Sequence, residues 1–106
     1  MIVSRGTTPT CTFRLPNTVD LSIANHVYVT FSKLDHRVIF TKSDEDLTIE
    51  ANLVHIFLTQ EETLNLPDKF EVQMNWTYLD GHKVKRADTK RKVICSDYNL
   101  LNEVVE

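Results

Sequence analysis

The chain is poor in the residues from which many active sites and scaffolds are built: it has two glycines, two cysteines, three prolines and one tryptophan in 106 residues. Gly6 and Gly81 stand alone, so no glycine-rich loop can cradle a phosphate in the usual way. Cys11 and Cys95 are too few for a disulfide scaffold and have no C-x-x-C spacing. Each alternates with apolar residues in a predicted strand, which marks a buried free thiol. No stretch approaches the roughly 18 apolar residues of a membrane span, and MIVSRGTTP lacks the apolar core of an export signal. A cytoplasmic place of synthesis and no membrane partner are therefore expected. His26, His36, His55 and His82 have no spacing to one another or to cysteine that suits zinc, and no serine lies in a G-x-S-x-G context. The expectation is a non-enzymatic protein with no cofactor and no metal.

What is present is an ordinary globular composition, 42% hydrophobic and 25% charged, with a formal charge of -3. Its length suits one domain over 1–106 with a single core. The strongest signal is FEVQMNWTYL, Phe70 to Leu79, which places Phe70, Val72, Met74, Trp76 and Tyr78 on one face and polar residues on most of the other. Asp80-Gly81 follows at once and predicts a tight two-residue hairpin. Asn75-Trp76-Thr77 matches a glycosylation sequon but falls mid-strand in a chain without an export signal, so it is discounted.

The remainder reads as short strands and turns. An N-terminal arm, 1–9, leads to a strand over Thr10 to Leu15 with Cys11, Phe13 and Leu15 inward. Val19 to Asn25 is a weak strand or loop. His26 to Ser32 is a clear strand with Val27, Val29 and Phe31 inward, and Arg37 to Lys42 is a strand apolar on both sides. Leu47 to Ala51 alternates with Leu47, Ile49 and Ala51 inward, and Leu53 to Leu58, apolar but for His55, predicts a strand covered on both faces. His55 there suits a sheet surface or interface better than a ligand site. Thr59 and Glu62 have capping-box spacing and predict one helical turn at Gln60 to Leu64, stopped before Pro67. Val93 to Cys95 is the last strand, and 97–106 is an apolar tail or a short helix.

Together these elements predict an all-β fold, an immunoglobulin-like or jelly-roll sandwich of about 7–8 antiparallel strands. Its core should include Phe13, Val29, Phe31, Ile56, Val72, Met74 and Trp76.

Charge is distributed unevenly. His82 to Lys92 carries Lys83, Lys85, Arg86, Lys90, Arg91 and Lys92, half of the twelve Lys and Arg residues, and it can be a strand only at a sheet edge. Asp44 to Glu50 carries the opposite sign. Separate patches of opposite sign suit contacts between copies of one chain. The basic stretch also suits phosphates. It has no aromatic residue for stacking bases, so nucleic acid is the less favoured partner. The candidate interaction residues are these six cations together with the apolar Leu101, Val104 and Val105 near the C-terminus.

Several words of the sequence resemble a known group. These are Arg5-Gly6-Thr7-Thr8-Pro9-Thr10 leading to Phe13-x-Leu15-Pro16, then Tyr28-Val29-Thr30-Phe31-Ser32, Leu58-Thr59-Gln60-Glu61-Glu62-Thr63-Leu64, and Asn75-Trp76-Thr77-Tyr78-x-Asp80-Gly81. Over nearly the whole chain the pattern is similar to small structural proteins of tailed bacteriophages and prophages, related to the immunoglobulin-like domain of upper baseplate proteins. The resemblance implies a virion component of head, neck, tail or baseplate, made in the bacterial cytoplasm and assembled with copies of itself or other virion proteins. It transfers no functional residue, and Lys83 to Lys92 is more basic than that pattern. Two alternatives are a phage-encoded inhibitor of a host defence protein and a nucleic-acid-binding accessory protein that uses the basic 83–92 segment.

Overall fold

Alternation of apolar and polar residues builds two sheets whose inner faces share one core. The computed structural model describes residues 2–80, 82–87 and 92–97. In chain order the strands are β1 (Ile2–Ser4), β2 (Thr10–Arg14), β3 (His26–Ser32), β4 (Val38–Ser43), β5 (Leu47–Glu50) and β6 (Leu53–Phe57). Helix α1 (Gln60–Leu64) follows, then β7 (Lys69–Asp80), β8 (His82–Ala87) and β9 (Lys92–Asp97). The larger sheet runs β1-β9-β7-β3-β4 with β8 also paired to β7, and the smaller runs β2-β6-β5. The fold is mostly β, as its patterning predicts.

β7 is the central element. β3 pairs along one side of it, from His26↔Thr77 to Ser32↔Glu71. On its other side β9 covers Lys69 to Val72 and β8 covers Asn75 to Asp80. Of the basic stretch, His82–Ala87 and Lys92 are described, and residues 88–91 lie outside the described residues. His82–Ala87 form β8, and Lys92 opens β9, opposite Val72. The register of the hairpin differs from a two-residue Asp80-Gly81 turn, because Asp80 pairs with His82 and Leu79 with Lys83.

All seven expected core residues, Phe13, Val29, Phe31, Ile56, Val72, Met74 and Trp76, are buried in a single cluster. Phe31 stacks on Phe40 and Phe70, with ring centroids 4.6 and 5.9 Å away. Cys11 is a buried free thiol in β2, and burial pushes its pKa up. Thr59 caps α1 as the capping box predicts: its hydroxyl accepts from the Glu62 N–H, and its own N–H donates to Glu62 Oε1 at 2.9 Å.

Three further expectations change. Ile2–Ser4, within the predicted arm, is a strand that pairs parallel with β9, so the larger sheet is not wholly antiparallel. Ala51 does not point inward: Glu50 pairs with Leu53, which leaves Ala51 and Asn52 as the turn, with Ala51 exposed at φ 51°. That left-handed conformation is costly for a residue with a Cβ. The turn is held because Leu21 N–H donates to Ala51 O and Leu15 N–H to Asn52 O, both at 2.9 Å. Finally, β6 is covered on one face only. Val54, Ile56 and the following Leu58 are fully buried, but Phe57 is 53% exposed. The predicted weak segment before β3 is a 3₁₀ turn at Leu21–Ile23, and the expected C-terminal tail or helix lies outside the described residues beyond Asp97.

Candidate functional site

The expected interaction residues fall on several elements. Lys83, Lys85 and Arg86 lie on β8, in register with Leu79, Thr77 and Trp76 of β7. Among the described residues β8 pairs with β7 alone, which leaves it a sheet edge as the lysine content predicts. Lys92 sits on a different strand, opposite Val72. Lys90, Arg91, Leu101, Val104 and Val105 lie outside the described residues.

The acidic segment is less free than its composition suggests. Asp44 closes onto the start of β3: Oδ1 accepts the Val27 N–H and Oδ2 lies 2.8 Å from His26 Nδ1. Burial alone would raise the Asp44 pKa, but the Val27 N–H and the His26 ring outweigh it and hold the carboxyl below its ordinary range. Asp44 also lines an open cleft of about 440 Å³ with Leu21, Ser22, Ala24, Asn25, Val27 and Ile49. Its lining offers one carboxylate already engaged with its own chain, and no nucleophile and base directed at a common point. Glu45 and Asp46 of the same turn remain exposed.

A second charged contact has no signal in the local sequence. Lys42 faces inward from β4, in register with Val29, and is only 8% exposed. Its Nζ reaches Glu62 Oε1 at 2.7 Å. The cap of α1 is thereby joined to the far edge of the larger sheet. Desolvation raises the Glu62 pKa, but Lys42 and the Thr59 N–H more than reverse it. The same helix is tied to the loop after β1. Buried Thr63 accepts the Gly6 N–H through its hydroxyl oxygen at 3.0 Å and donates to Thr7 O at 2.8 Å. Gly6 has φ 76°, where a Cβ would be unfavourable. Arg5 pairs with Asp68 at 2.7 Å. Two of the words behind the bacteriophage resemblance, RGTTPT and LTQEETL, thus meet in space as a structural junction.

No known family, curated protein or solved structure matches this chain. The functional reading therefore rests on surfaces and on the sequence pattern. Among the described residues no three His, Cys, Asp or Glu side chains group as a metal site, and no helix is long and apolar enough to cross a membrane.

Exposed Ile23, Tyr28, Leu34 and Val38 are spread over several elements, whereas the outer face of the smaller sheet sets Phe57 in one column with Leu53. Leu53, His55 and Phe57 occupy its central column, flanked by Thr10, Thr12 and Arg14 on β2 and by Thr48 and Glu50 on β5. His55 Nδ1 lies 2.8 Å from Thr12 Oγ1, and its Nε2 lies 3.9 Å from Glu50 Oε2. His55 is thus placed at a sheet surface, held by both neighbouring strands. The break in hydropathy alternation points to this face, because β6 is apolar at outward as well as inward positions.

Proposed function

We propose that the protein is a non-enzymatic bacteriophage virion subunit or adaptor that acts through protein-protein assembly, its partners being copies of itself or other virion proteins. The fold that best fits this reading is an immunoglobulin-like sandwich. What supports it over a jelly roll is strand order. With β2, β3, β4, β5, β6, β7 and β9 taken as strands B, C, C′, D, E, F and G, the sheets become B-E-D and G-F-C-C′, the variable-type arrangement. β7 has no cysteine to join Cys11, so the inter-sheet disulfide of antibody domains has no counterpart here. Buried Met74 and Trp76 occupy that strand instead.

The observation that carries the functional reading is the contrast between the two outward faces. The larger sheet presents Glu71, Gln73 and Asn75 outward on its central strand, whereas the smaller presents Leu53 and Phe57. An apolar central column ringed by threonines and single charges has the anatomy of a contact surface: apolar centre, polar rim. The sequence words shared in pattern with virion proteins point to the setting. Quantitative mass spectrometry of gradient-purified particles tests it. The protein is expected at a stoichiometric copy number; absence from particles, together with abundance in infected cells, overturns the role.

A further inference from the structure

We propose that the outer face of the smaller sheet pairs with the same face of a second copy, about a twofold axis running close to the direction of β6. Such pairing deepens the subunit role above and, for its setting in a particle, rests on it.

The central column provides the apolar part. In a sheet with one wet face, outward positions are ordinarily polar. The flanking strands follow that rule with Thr10, Thr12, Arg14, Thr48 and Glu50, and β6 breaks it with half-buried Leu53 and exposed Phe57. A partner that covers this column removes both side chains from water.

The charges select the partner and the axis. Arg14 and Glu50 both pair with Leu53, from opposite sides, so one cross-strand row reads Arg14–Leu53–Glu50. The next two rows are Thr12–His55–Thr48 and Thr10–Phe57. A twofold axis along β6 exchanges the two edges of the sheet and preserves position along the strands. Arg14 of each copy then lies over Glu50 of the other, Leu53 over Leu53, Phe57 over Phe57 and Thr12 over Thr48. Two ion pairs form from one patch, the self-complementarity that an isologous contact requires. An in-plane axis across the strands would instead set Leu53 over Phe57 and Arg14 over Thr10, with no cation opposite Glu50. Inclining the favoured axis by about 15° to β6 yields the strand crossing of about 30° usual for aligned sheets. A foreign partner would need the same two charges, of reversed sign, about 10 Å apart across the sheet.

The contact is small. Three strands about 4.8 Å apart and roughly five residues long at about 3.3 Å each span a few hundred Å² per copy. That falls below the roughly 800 Å² per partner of a standard stable interface. Pairing should be weak in free solution and gain strength where many copies are held together.

Sedimentation equilibrium of the full chain over roughly 5 μM to 1 mM tests the pairing. The weight-average mass is expected to climb from monomer toward dimer across this range. Phe57→Thr should hold the protein monomeric throughout. Arg14→Glu and Glu50→Arg should each weaken association about fivefold or more, and the double variant R14E/E50R should restore it, since reversing both partners recreates the pair. Circular dichroism and thermal melts like those of the unchanged protein establish that each variant folds. The pairing is overturned by a monomer at every concentration, by association that F57T leaves intact, or by a double variant no better than either single one. A monomer that is nevertheless abundant in particles removes the pairing and keeps the subunit role; a dimer absent from particles does the reverse.

Discussion

The central strands of the two sheets are built alike on one side and differently on the other. β7 sends Phe70, Val72, Met74 and Trp76 into the core, and β6 sends Val54 and Ile56 to meet them. Both are flanked by paired strands on each side. On the outer face β7 carries the half-buried Glu71, Gln73 and Asn75 and the buried Thr77, and β6 carries half-buried Leu53 and His55 and exposed Phe57. The inner residues account for folding, since burying large side chains is what holds a small domain together. The outer residues are free of that demand and report on what lies against each sheet. The outer side chains of β7 are polar and partly covered by their own chain, whereas the column on β6 is apolar and ends in exposed Phe57, which suits a protein partner.

Emptying the inner faces should have the largest effect. Trp76→Ala leaves a cavity opposite Val27 and should cost about 3–5 kcal/mol, and Ile56→Ala about 2–5 kcal/mol, by urea unfolding. Comparable losses place both strands in one cooperative core; a Trp76 variant that unfolds where the unchanged protein does would break the assignment of β7's inner face.

The link between the sheets comes next. Lys42→Met removes a buried ammonium and the ion-pair partner of half-buried Glu62, and a loss of about 1 kcal/mol is expected. The same contact governs acid sensitivity. The Glu62 pKa is lowered by folding, so the stability it contributes is complete above the ordinary carboxylate range and declines as pH falls through the folded value. Asp44 acts with the same sign. Glu62→Gln should flatten the decline of melting temperature below about pH 4. An unchanged acid profile in that variant would remove Glu62 from the account. Thr59→Ala, which takes away one cap bond of α1 and leaves both sheets intact, should cost about 1 kcal/mol.

How much of this was legible depends on how local each signal is. β3 and α1 have the bounds that period-2 alternation and the capping box predict, His26–Ser32 and Gln60–Leu64, because each signal is complete within a few residues. The seven core residues follow for the same reason. Pairings between distant segments leave no such mark. Nothing local in Ile2–Ser4 announces a parallel partner at Cys95 to Asp97. Lys42 reads as a solvated strand end until β4 is placed beside β3 and Glu62 is brought over it. Ala51 continues an alternation that the turn interrupts. Of the candidate interaction surface, the basic residues of β8 were visible as composition, but His55 and its neighbours Thr12 and Glu50 become a group only through the register of the smaller sheet.

The smallest expected effect on stability separates the two outer faces most sharply. Phe57 is 53% exposed and sits opposite Thr10 at the end of β6. Phe57→Thr puts a β-branched residue suited to a strand there and removes little buried area, so dilute protein should unfold within about 0.5 kcal/mol of the unchanged chain. At concentrations where copies pair, the unchanged chain should gain stability by mass action and the variant should not. Melting temperature measured against protein concentration reads this directly: a rising line for the unchanged chain and a flat one for F57T. Two parallel lines would mean that Phe57 is an ordinary exposed side chain, and that the difference between β6 and β7 has no consequence outside the monomer.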